Sequence, residues 1–281
     1  MESSCYICPT CKHILQEEAD ALRCLTCSQT YPIREGIPDF ILEELSQSKD
    51  PVLRRMTVID RMARIYETKL WYPLVLAVYG GFKSPSLAQL IGTVSQSIHS
   101  TTGRVLDVAC GPGTFGRRIA SPSKEVFGID VSRRMLRQGM AYCAEERISN
   151  VHFARARVEA LPFERDFFDA VICCGSLHLF ADTVVALREI ARVMKPGAIL
   201  SVFTFAAGSG GILKFRSVRE WSLKRQGLHV FESSDMERYL TVSDLEDFRP
   251  EVSGSVLTFS ARKAAGLTGT AGRSVPLEVG L

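Results

Sequence analysis

The sequence predicts an α/β fold, a doubly wound and mainly parallel sheet of seven strands that ends in an antiparallel hairpin and is preceded by a small metal-stapled unit. Three observations carry this. Apolar runs of strand length alternate with amphipathic helical stretches between residues 104 and 263. The last two runs are parted only by Ser253-Gly254-Ser255, too little chain for a crossover, so they form a hairpin and one strand runs against the rest. Near the start, Cys8-Pro9-Thr10-Cys11 and Cys24-Leu25-Thr26-Cys27 form two C-x-x-C knuckles separated by twelve residues.

A chain of 281 residues holds one domain of ordinary size and a small one, and 46% hydrophobic with 23% charged residues is the make-up of a soluble globular protein. No apolar run reaches the length of a membrane span and no signal peptide precedes Cys5. Four of the nine cysteines have metal-type spacing, so a reducing, cytoplasmic setting is expected rather than a disulfide framework.

Residues 1–45 form the first unit. Each knuckle puts two thiolates on one side of a tight turn, and Cys8, Cys11, Cys24 and Cys27 together make a closed tetrahedral site for zinc. Four thiolates leave no open position, so the metal is structural, and Cys5 is left over as a free thiol. With Y-P-I-R-E-G-I-P at 31–38, these knuckles resemble the small zinc-ribbon activator subunit of tRNA methyltransferases and its relatives fused to bacterial methyltransferases. The resemblance implies a ribbon that supports a catalytic domain. Its three basic residues against eight acidic ones give 3 − 8 = −5, a poor reader of phosphates, and the compensating positive charge of the remaining chain is spread over several helices. Nucleic acid is therefore an unfavoured partner.

Residues 46–103 hold a linker and lid helices. Ser46 to Pro51 is polar; from Val52 to Gly80 the apolar positions Met56, Ile59, Met62 or Ala63, and Tyr66 recur at helical spacing. Trp71 to Tyr79 is aromatic and apolar and stops at Gly80-Gly81, and Ser84 to Ile98 is a further amphipathic helix before the turn at 100–103.

Strands are expected near 104–109, 125–130, 151–155, 168–174, 198–205, 247–253 and 256–262, and helices near 114–121, 132–146, 182–195, 212–226 and 234–241. The first strand breaks at Cys110-Gly111-Pro112-Gly113 and restarts as a helix, which lets backbone approach a ligand and points helix-start amides at it. Asp107, just ahead, would repel a diphosphate and attract an ammonium. The second strand ends in Asp130, about 20 residues on, where a carboxylate suits a ribose diol. Ribose and an ammonium without phosphate describe S-adenosylmethionine. V-L-D-V-A-C-G-P-G-T, G-I-D-V-S-x-x-M-L, E-A-L-P-F, F-D-A-V and L-R-E-I-A-R-V-M-K-P-G, in that order over roughly 100–263, resemble the class I S-adenosylmethionine-dependent methyltransferases, nearest in motif order to the ubiquinone and menaquinone group.

The resemblance implies a Rossmann-like sheet and, residue by residue, a cofactor site. Asp107 would reach the methionine ammonium directly or through water, Ala109, Cys110, Gly111 and Gly113 would line that moiety, and Asp130 would accept both ribose hydroxyls. Val131 and Met135 would flank the adenine, with Val158 and Glu159 on its other side and Cys174 beside the methyl group. Arg157 stands where an acid that takes the adenine amino group is usual, and an arginine cannot accept that hydrogen bond.

Because the sulfonium is already activated, alignment does most of the work. His178, after the fourth strand, is the candidate base, and Tyr66, in an R-x-A-x-x-Y-E segment that resembles a cofactor lid, is the candidate facing the cofactor or acceptor. The expected acceptor is a small, partly apolar molecule methylated on carbon or oxygen; RNA, through the ribbon, and a non-enzymatic binding module are the alternatives. Ala206 to Gly211 reads as a hinge. Ile212, Leu213, Phe215, Val218 and Trp221 form a stripe on the helix that follows, with Lys214, Arg216, Arg219, Lys224 and Arg225 around it. That stripe reads as a cap over the acceptor, as a contact to a membrane surface, or as ordinary core. Residues 264–281 are expected to be a disordered tail.

Overall fold

The computed structural model describes residues 5–43, 47, 60, 65, 66, 68, 70–226 and 229–265, with only the helix path given for 223–226. The polar linker apart from Gln47, the periodic positions Met56, Ile59, Met62 and Ala63, the side chains of Lys224 and Arg225, and the tail from Gly266 lie outside the described residues.

The ribbon is a four-stranded antiparallel sheet in sequence order, β1 (Leu15–Glu18), β2 (Ala21–Cys24), β3 (Thr30–Arg34) and β4 (Ile37–Pro38). After it come the lid helix α1 (Trp71–Val75), which widens into one π-type turn at Leu76–Gly80, and α2 (Leu87–Ser97). Ser86 caps α2 in a reciprocal box with Gln89, and its Leu90 and Val94 are buried, so this helix starts and packs as its sequence dictates.

The catalytic-type sheet contains β5 (Gly103–Val108), β6 (Lys124–Asp130), β7 (Val151–Arg155), β8 (Phe168–Cys174), β9 (Met194–Phe205), β10 (Leu245–Ser253) and β11 (Val256–Lys263). Their order is β10-β11-β9-β8-β5-β6-β7, parallel except that β11 runs antiparallel to both neighbours. The helices are α3 (Gly116–Ile119), α4 (Arg133–Glu146), α5 (Thr183–Val193), α6 (Arg216–Gln226) and α7 (Ser233–Thr241). Strand order reverses between β8 and β5, which puts the topological switch point at the carboxyl ends of β5, β6 and β8.

Three local departures have plain causes. The helix expected over 182–195 ends at Val193, and Met194 already pairs with Phe168, because Pro196 disfavours helix in the residue before it and has no N–H to give. The expected 212–226 helix breaks at Phe215 into a 3-10 turn and α6; Leu213 turns inward, while Arg219 donates to the carbonyls of Leu213 and Lys214 at 3.1 and 3.4 Å. The glycine run 208–211 is a crossing of backbones, not a slack hinge. A Cβ on Gly210 would lie 1.8 Å from the Gly80 carbonyl oxygen, Ser255 N–H donates to that same oxygen, and Ser255 Oγ bonds both polar groups of Gly210.

The ribbon shares one core with the sheet: Tyr6, Leu15, Leu22 and Tyr31 belong to the cluster that contains Leu106, Phe127 and Phe163. It also covers the open edge at β7. Asp39 bridges Arg155 in parallel, Phe40 N–H donates to the Arg155 carbonyl at 2.8 Å, and Ile7 N–H donates to the Pro162 carbonyl at 3.0 Å. At the centre of the seam the Arg155 guanidinium, 2% exposed, meets both Asp39 oxygens at 3.1 and 3.3 Å. It also donates to the carbonyls of Ile41, Glu43 and Val131.

Candidate functional site

The switch-point cavity is built by three sequence-local devices. Ala109, Gly111 and Gly113 take positive φ (52°, 56° and 72°), which turns the chain sharply after β5 and lays backbone along the cavity floor. Asp130 ends β6 with Oδ2 accepting from Gly111 N–H and Oδ1 from Ser132 N–H, at 2.9 and 2.8 Å. It therefore ties two loops together and still faces the cavity. Ser132, not Asp130, caps α4 by accepting from Met135 N–H. The remaining walls are Val131 and Met135, the segment Ala156 to Glu159 after β7, Cys174 to Ser176 after β8, and Leu179 and Phe180; Tyr66 closes the mouth.

Of the residues that sequence reasoning placed around the cofactor, Ala109, Gly111, Asp130, Val131, Met135, Val158, Glu159 and Cys174 line this cavity, with Tyr66. Asp107, Cys110 and Gly113 do not. Asp107 is 1% exposed and its Oδ2 accepts from Gly116 N–H at 2.9 Å, so it fastens the turn from behind. Burial first, and then the Asp130 charge, push its carboxyl up to about 8. The Cys110 thiol points away from the cavity into a cluster with Ile37, Leu136 and Phe153, and Gly113 makes room for the Phe153 ring. Asp130 is likewise raised above the carboxylate range, chiefly by burial.

A second cavity adjoins the first and shares Tyr66, Cys174, Gly175 and Leu179 with it. The lid supplies Trp71, Tyr72, Val75, Leu76 and Tyr79; the sheet side supplies Phe203 and Phe205, and Leu213, Val230 and His178 complete it. Among the described residues, no Asp, Glu, Lys or Arg lines it. Sequence reasoning named this lid as a possible cover and missed Phe203, Phe205 and Val230; the signal was an aromatic pair two residues apart, on one face of β9.

His178 faces this second cavity, buried, with Nδ1 3.1 Å from the Thr204 hydroxyl and its ring edge-on to Phe205. Burial, and then His229, hold its pKa down at about 4, so it is neutral near pH 7 and a weak base. The Tyr66 phenol is pushed up to about 12 by burial and by Asp130, and it packs on Trp71 and Tyr72 at 5.4 and 5.8 Å. It stays protonated, a donor rather than a base.

The four knuckle thiols converge, with all sulfurs within 4.8 Å of one another, Cys8 to Cys27 at 3.6 Å and Cys11 to Cys24 at 3.4 Å. A tetrahedral zinc with bonds of about 2.3 Å spaces its sulfurs about 3.8 Å apart, so the arrangement fits that ion. Lys12 and Ser28, each just after the second cysteine of its knuckle, share a left-handed conformation (φ 62° and 61°), so the two turns are built alike.

Residues 105–197 match the family model described as a methyltransferase domain. An uncharacterized methyltransferase of Bacillus subtilis, YcgJ, is 33% identical over 132 residues, 47% of this chain and 51% of that protein. The ubiquinone/menaquinone biosynthesis C-methyltransferase UbiE of Pseudomonas paraeruginosa is 34% identical over 54% of this chain and 61% of its own length. The aligned region thus spans a little over half of each of these relatives. A chloroplastic uncharacterized methyltransferase of Arabidopsis thaliana aligns with 93% of this chain and 79% of its own, at 23% identity, and so reaches into the ribbon. Among solved structures, Haemonchus contortus phosphoethanolamine N-methyltransferase 2 in complex with S-adenosyl-L-methionine superposes with a TM-score of 0.60 over 84% of this chain and 62% of that one, at 17% identity. The B. subtilis YcgJ structure superposes with a TM-score of 0.55, at 18% identity, over 64% of this chain and all of that one. The family match and the shared fold support the expected class I methyltransferase domain; these matches do not bear on the ribbon's likeness to the activator subunit.

Proposed function

We propose that the chain is an S-adenosylmethionine-dependent methyltransferase whose acceptor is a small, neutral and largely apolar molecule, methylated on carbon or oxygen. The observation that carries the reading is the pair of adjoining cavities, one with a strand-end carboxylate and exposed backbone, the other aromatic and, among the described residues, without an acidic or basic side chain. Asp130 retains lone pairs beyond those held by Gly111 and Ser132 and would take the ribose hydroxyls. Val131, Met135 and Val158 supply an apolar slot for the adenine. The bound cofactor supplies an electrophilic methyl on a sulfonium. The protein then has to hold the acceptor in line with it and keep water out, for which an aromatic lid and the shared wall at Tyr66, Cys174 and Leu179 are suited. Tyr66 would donate to an acceptor oxygen; neutral His178, steadied by Thr204, would orient the acceptor more than it would draw off a proton.

The names of the relatives sharpen the acceptor class. UbiE acts in quinone biosynthesis, and the Haemonchus enzyme is named for phosphoethanolamine. Among the described lining residues there is no cation to pair with a phosphate, so the quinone-like end of that range fits better. The RNA alternative finds no support here, since its carrier would be an acidic ribbon. We assign the four cysteines a structural zinc, with no part in the chemistry.

Two measurements test the proposal. Calorimetry should detect S-adenosylmethionine binding, weakened by about 1.5–3 kcal/mol in Asp130→Ala, the range for a charge-assisted hydrogen bond. With methyl-labelled cofactor and a cell extract as acceptor source, label should enter small molecules that partition into organic solvent. Label appearing only in nuclease-sensitive material, or no cofactor binding at all, overturns the reading.

A further inference from the structure

Among the described residues, fifteen large hydrophobic side chains are exposed, and eight of them fall in two short stretches: Ile65, Leu70, Leu74, Val78 and Phe82 in the first, and Ile212, Phe215 and Trp221 in the second. The two stretches touch. A Cβ on Gly81 would lie 2.4 Å from the Gly211 amide, and one on Gly211 would lie 2.4 Å from the Val78 carbonyl oxygen. Together they are the outer lips of the aromatic cavity, since Trp71, Tyr72, Val75, Leu76, Tyr79 and Leu213 turn inward from the same segments.

The lid is apolar all round. Trp71 to Phe82 contains no charged residue, yet Leu74 is 61% exposed and Phe82 fully so, and Leu70, Leu74, Val78 and Phe82 recur every four residues on the outer face. A helix apolar on every side is normally buried in a core or in lipid. Twelve residues cannot cross a bilayer, and among the described residues no helix is long and apolar enough to do so, but this length suits an interfacial segment. Stability does not explain the exposure of Phe215 and Trp221 either: core packing, one of the readings of that stripe, holds for Leu213 at 1% exposure but not for these two, at 52% and 53%.

We propose that this apolar face docks on an anionic lipid surface, so that the acceptor cavity opens into the bilayer interface. The charges at its rim select the occupant. Arg216 pairs with Glu220 and Arg219 with Glu232, leaving Lys83 and Lys214 with no acidic partner at ion-pair distance among the described residues. The Lys214 ammonium sits 4.8 Å from the Phe215 ring, at the border between apolar face and water. Cationic groups framing apolar side chains match anionic headgroups over acyl chains. A second copy docked symmetrically would instead bring like charges together. The proposal rests on the aromatic cavity being the acceptor site, but its test reads binding and not turnover.

The test is flotation of the full chain with phosphatidylcholine vesicles, with and without phosphatidylglycerol, at low and high salt. Binding is expected to anionic vesicles and to weaken with salt. The Leu74→Ser, Phe82→Ser double variant should lose tenfold or more of it with an unchanged melting temperature. The Lys83→Gln, Lys214→Gln pair should lose roughly 30-fold on anionic vesicles, from about 1 kcal/mol per lysine at such a surface. The proposal is overturned by absence of wild-type binding, by equal binding of wild type and both variants, or by a wild-type dimer that Leu74→Ser, Phe82→Ser turns into monomer. That last result would make the face a contact between copies. Methyl transfer to an apolar acceptor in solution without vesicle binding would sink the docking surface alone and leave the proposed activity standing.

Discussion

On one flank of the proposed cofactor cavity the ribbon meets the sheet through charges taken out of water; on the other the lid meets it through aromatic rings. The Asp39–Arg155 pair is 2% exposed on each side, and Arg155 also ties down three carbonyls, among them that of Val131 in the cavity wall. Across the cavity, Tyr66 packs on Trp71 and Tyr72, and Tyr79 on Phe205, and these contacts involve no ion pair. A buried ion pair with all its hydrogen bonds made has one good geometry, whereas ring packing tolerates several, so the first flank fixes where the cofactor sits and the second can move to admit an acceptor.

The largest effect expected from this contrast follows removal of the zinc proposed for the ribbon. The knuckles hold the segment that carries Tyr6 and the strands that carry Leu22 and Tyr31 into the shared core, so stripping zinc with a strong chelator, or Cys24→Ser, should unfold the ribbon and uncover the edge at β7. Purified chain should contain one zinc, and its melting temperature should fall steeply on stripping. Metal-free protein with an unchanged melting curve would break the assignment and, with it, the idea of a fixed flank.

Next in size is Asp39→Ala. It leaves the Arg155 guanidinium buried without a counter-charge, a change worth about 3–5 kcal/mol. Arg133, which also pairs with Asp39 at 2.6 Å, loses that contact too. Chemical denaturation measures the loss, and a cost below about 1 kcal/mol, the level of an exposed pair, would show that the seam is not the strut described here. Cofactor affinity should fall in the same variant, because the Val131 carbonyl loses a properly held donor.

The moving flank should respond in a different parameter. Tyr79 lines only the aromatic cavity and packs on Phe205 at 5.5 Å. Tyr79→Ala should raise the acceptor KM by about tenfold, in line with 0.5–1.5 kcal/mol for an aromatic pair beyond its buried area. S-adenosylmethionine affinity from calorimetry should stay as in the parent. Equal losses in both would mean that the two cavities are not separable as cofactor and acceptor sites.

How much of this could be read in the sequence depended on the range of the interaction. The strand runs 126–129 and 170–173 are apolar because both sheet faces are covered, and their boundaries fell within a residue or two of expectation. The hairpin at Gly254 followed from loop length alone, and the knuckle thiols from their spacing. What depended on contacts far apart in the chain was invisible: Asp39 and Arg155 are 116 residues apart and share no period. The one clue was an arginine at the end of a strand that is apolar but for His152. The direction of Cys110 and the role of Asp107 were missed for a related reason, since a tight turn decides which side of it each side chain takes, and only the positive φ at Ala109 settles that. The Gly208–Gly211 run was legible as glycine-rich but not as a backbone crossing, because its partners, Gly80 and Gly254, lie elsewhere in the sequence.

The smallest predicted effect is a pH dependence, and it sharpens what the fixed flank holds. Burial, with Asp130 nearby, raises the Asp107 carboxyl to about 8, and Asp130 is raised as well. In the free protein at pH 7 the Asp107 group is therefore mostly protonated. A cation in the adjoining cavity favours the ionised form, so binding S-adenosylmethionine drives the proton off. The sign follows: affinity is lowest where the carboxyl must first lose a proton, rises with pH through about 8, and levels off above. For a group with that pKa the gain between pH 7 and pH 8 is about fivefold. Titration calorimetry in Tris and in phosphate, whose ionisation enthalpies differ, should report close to one proton released per cofactor at pH 7. His178, held near 4, should add no inflection between pH 6 and 7. A flat affinity from pH 7 to 8.5 with no buffer-dependent heat would mean that Asp107 is already ionised in the free chain, and that its bond to the Gly116 amide, rather than burial, sets its charge.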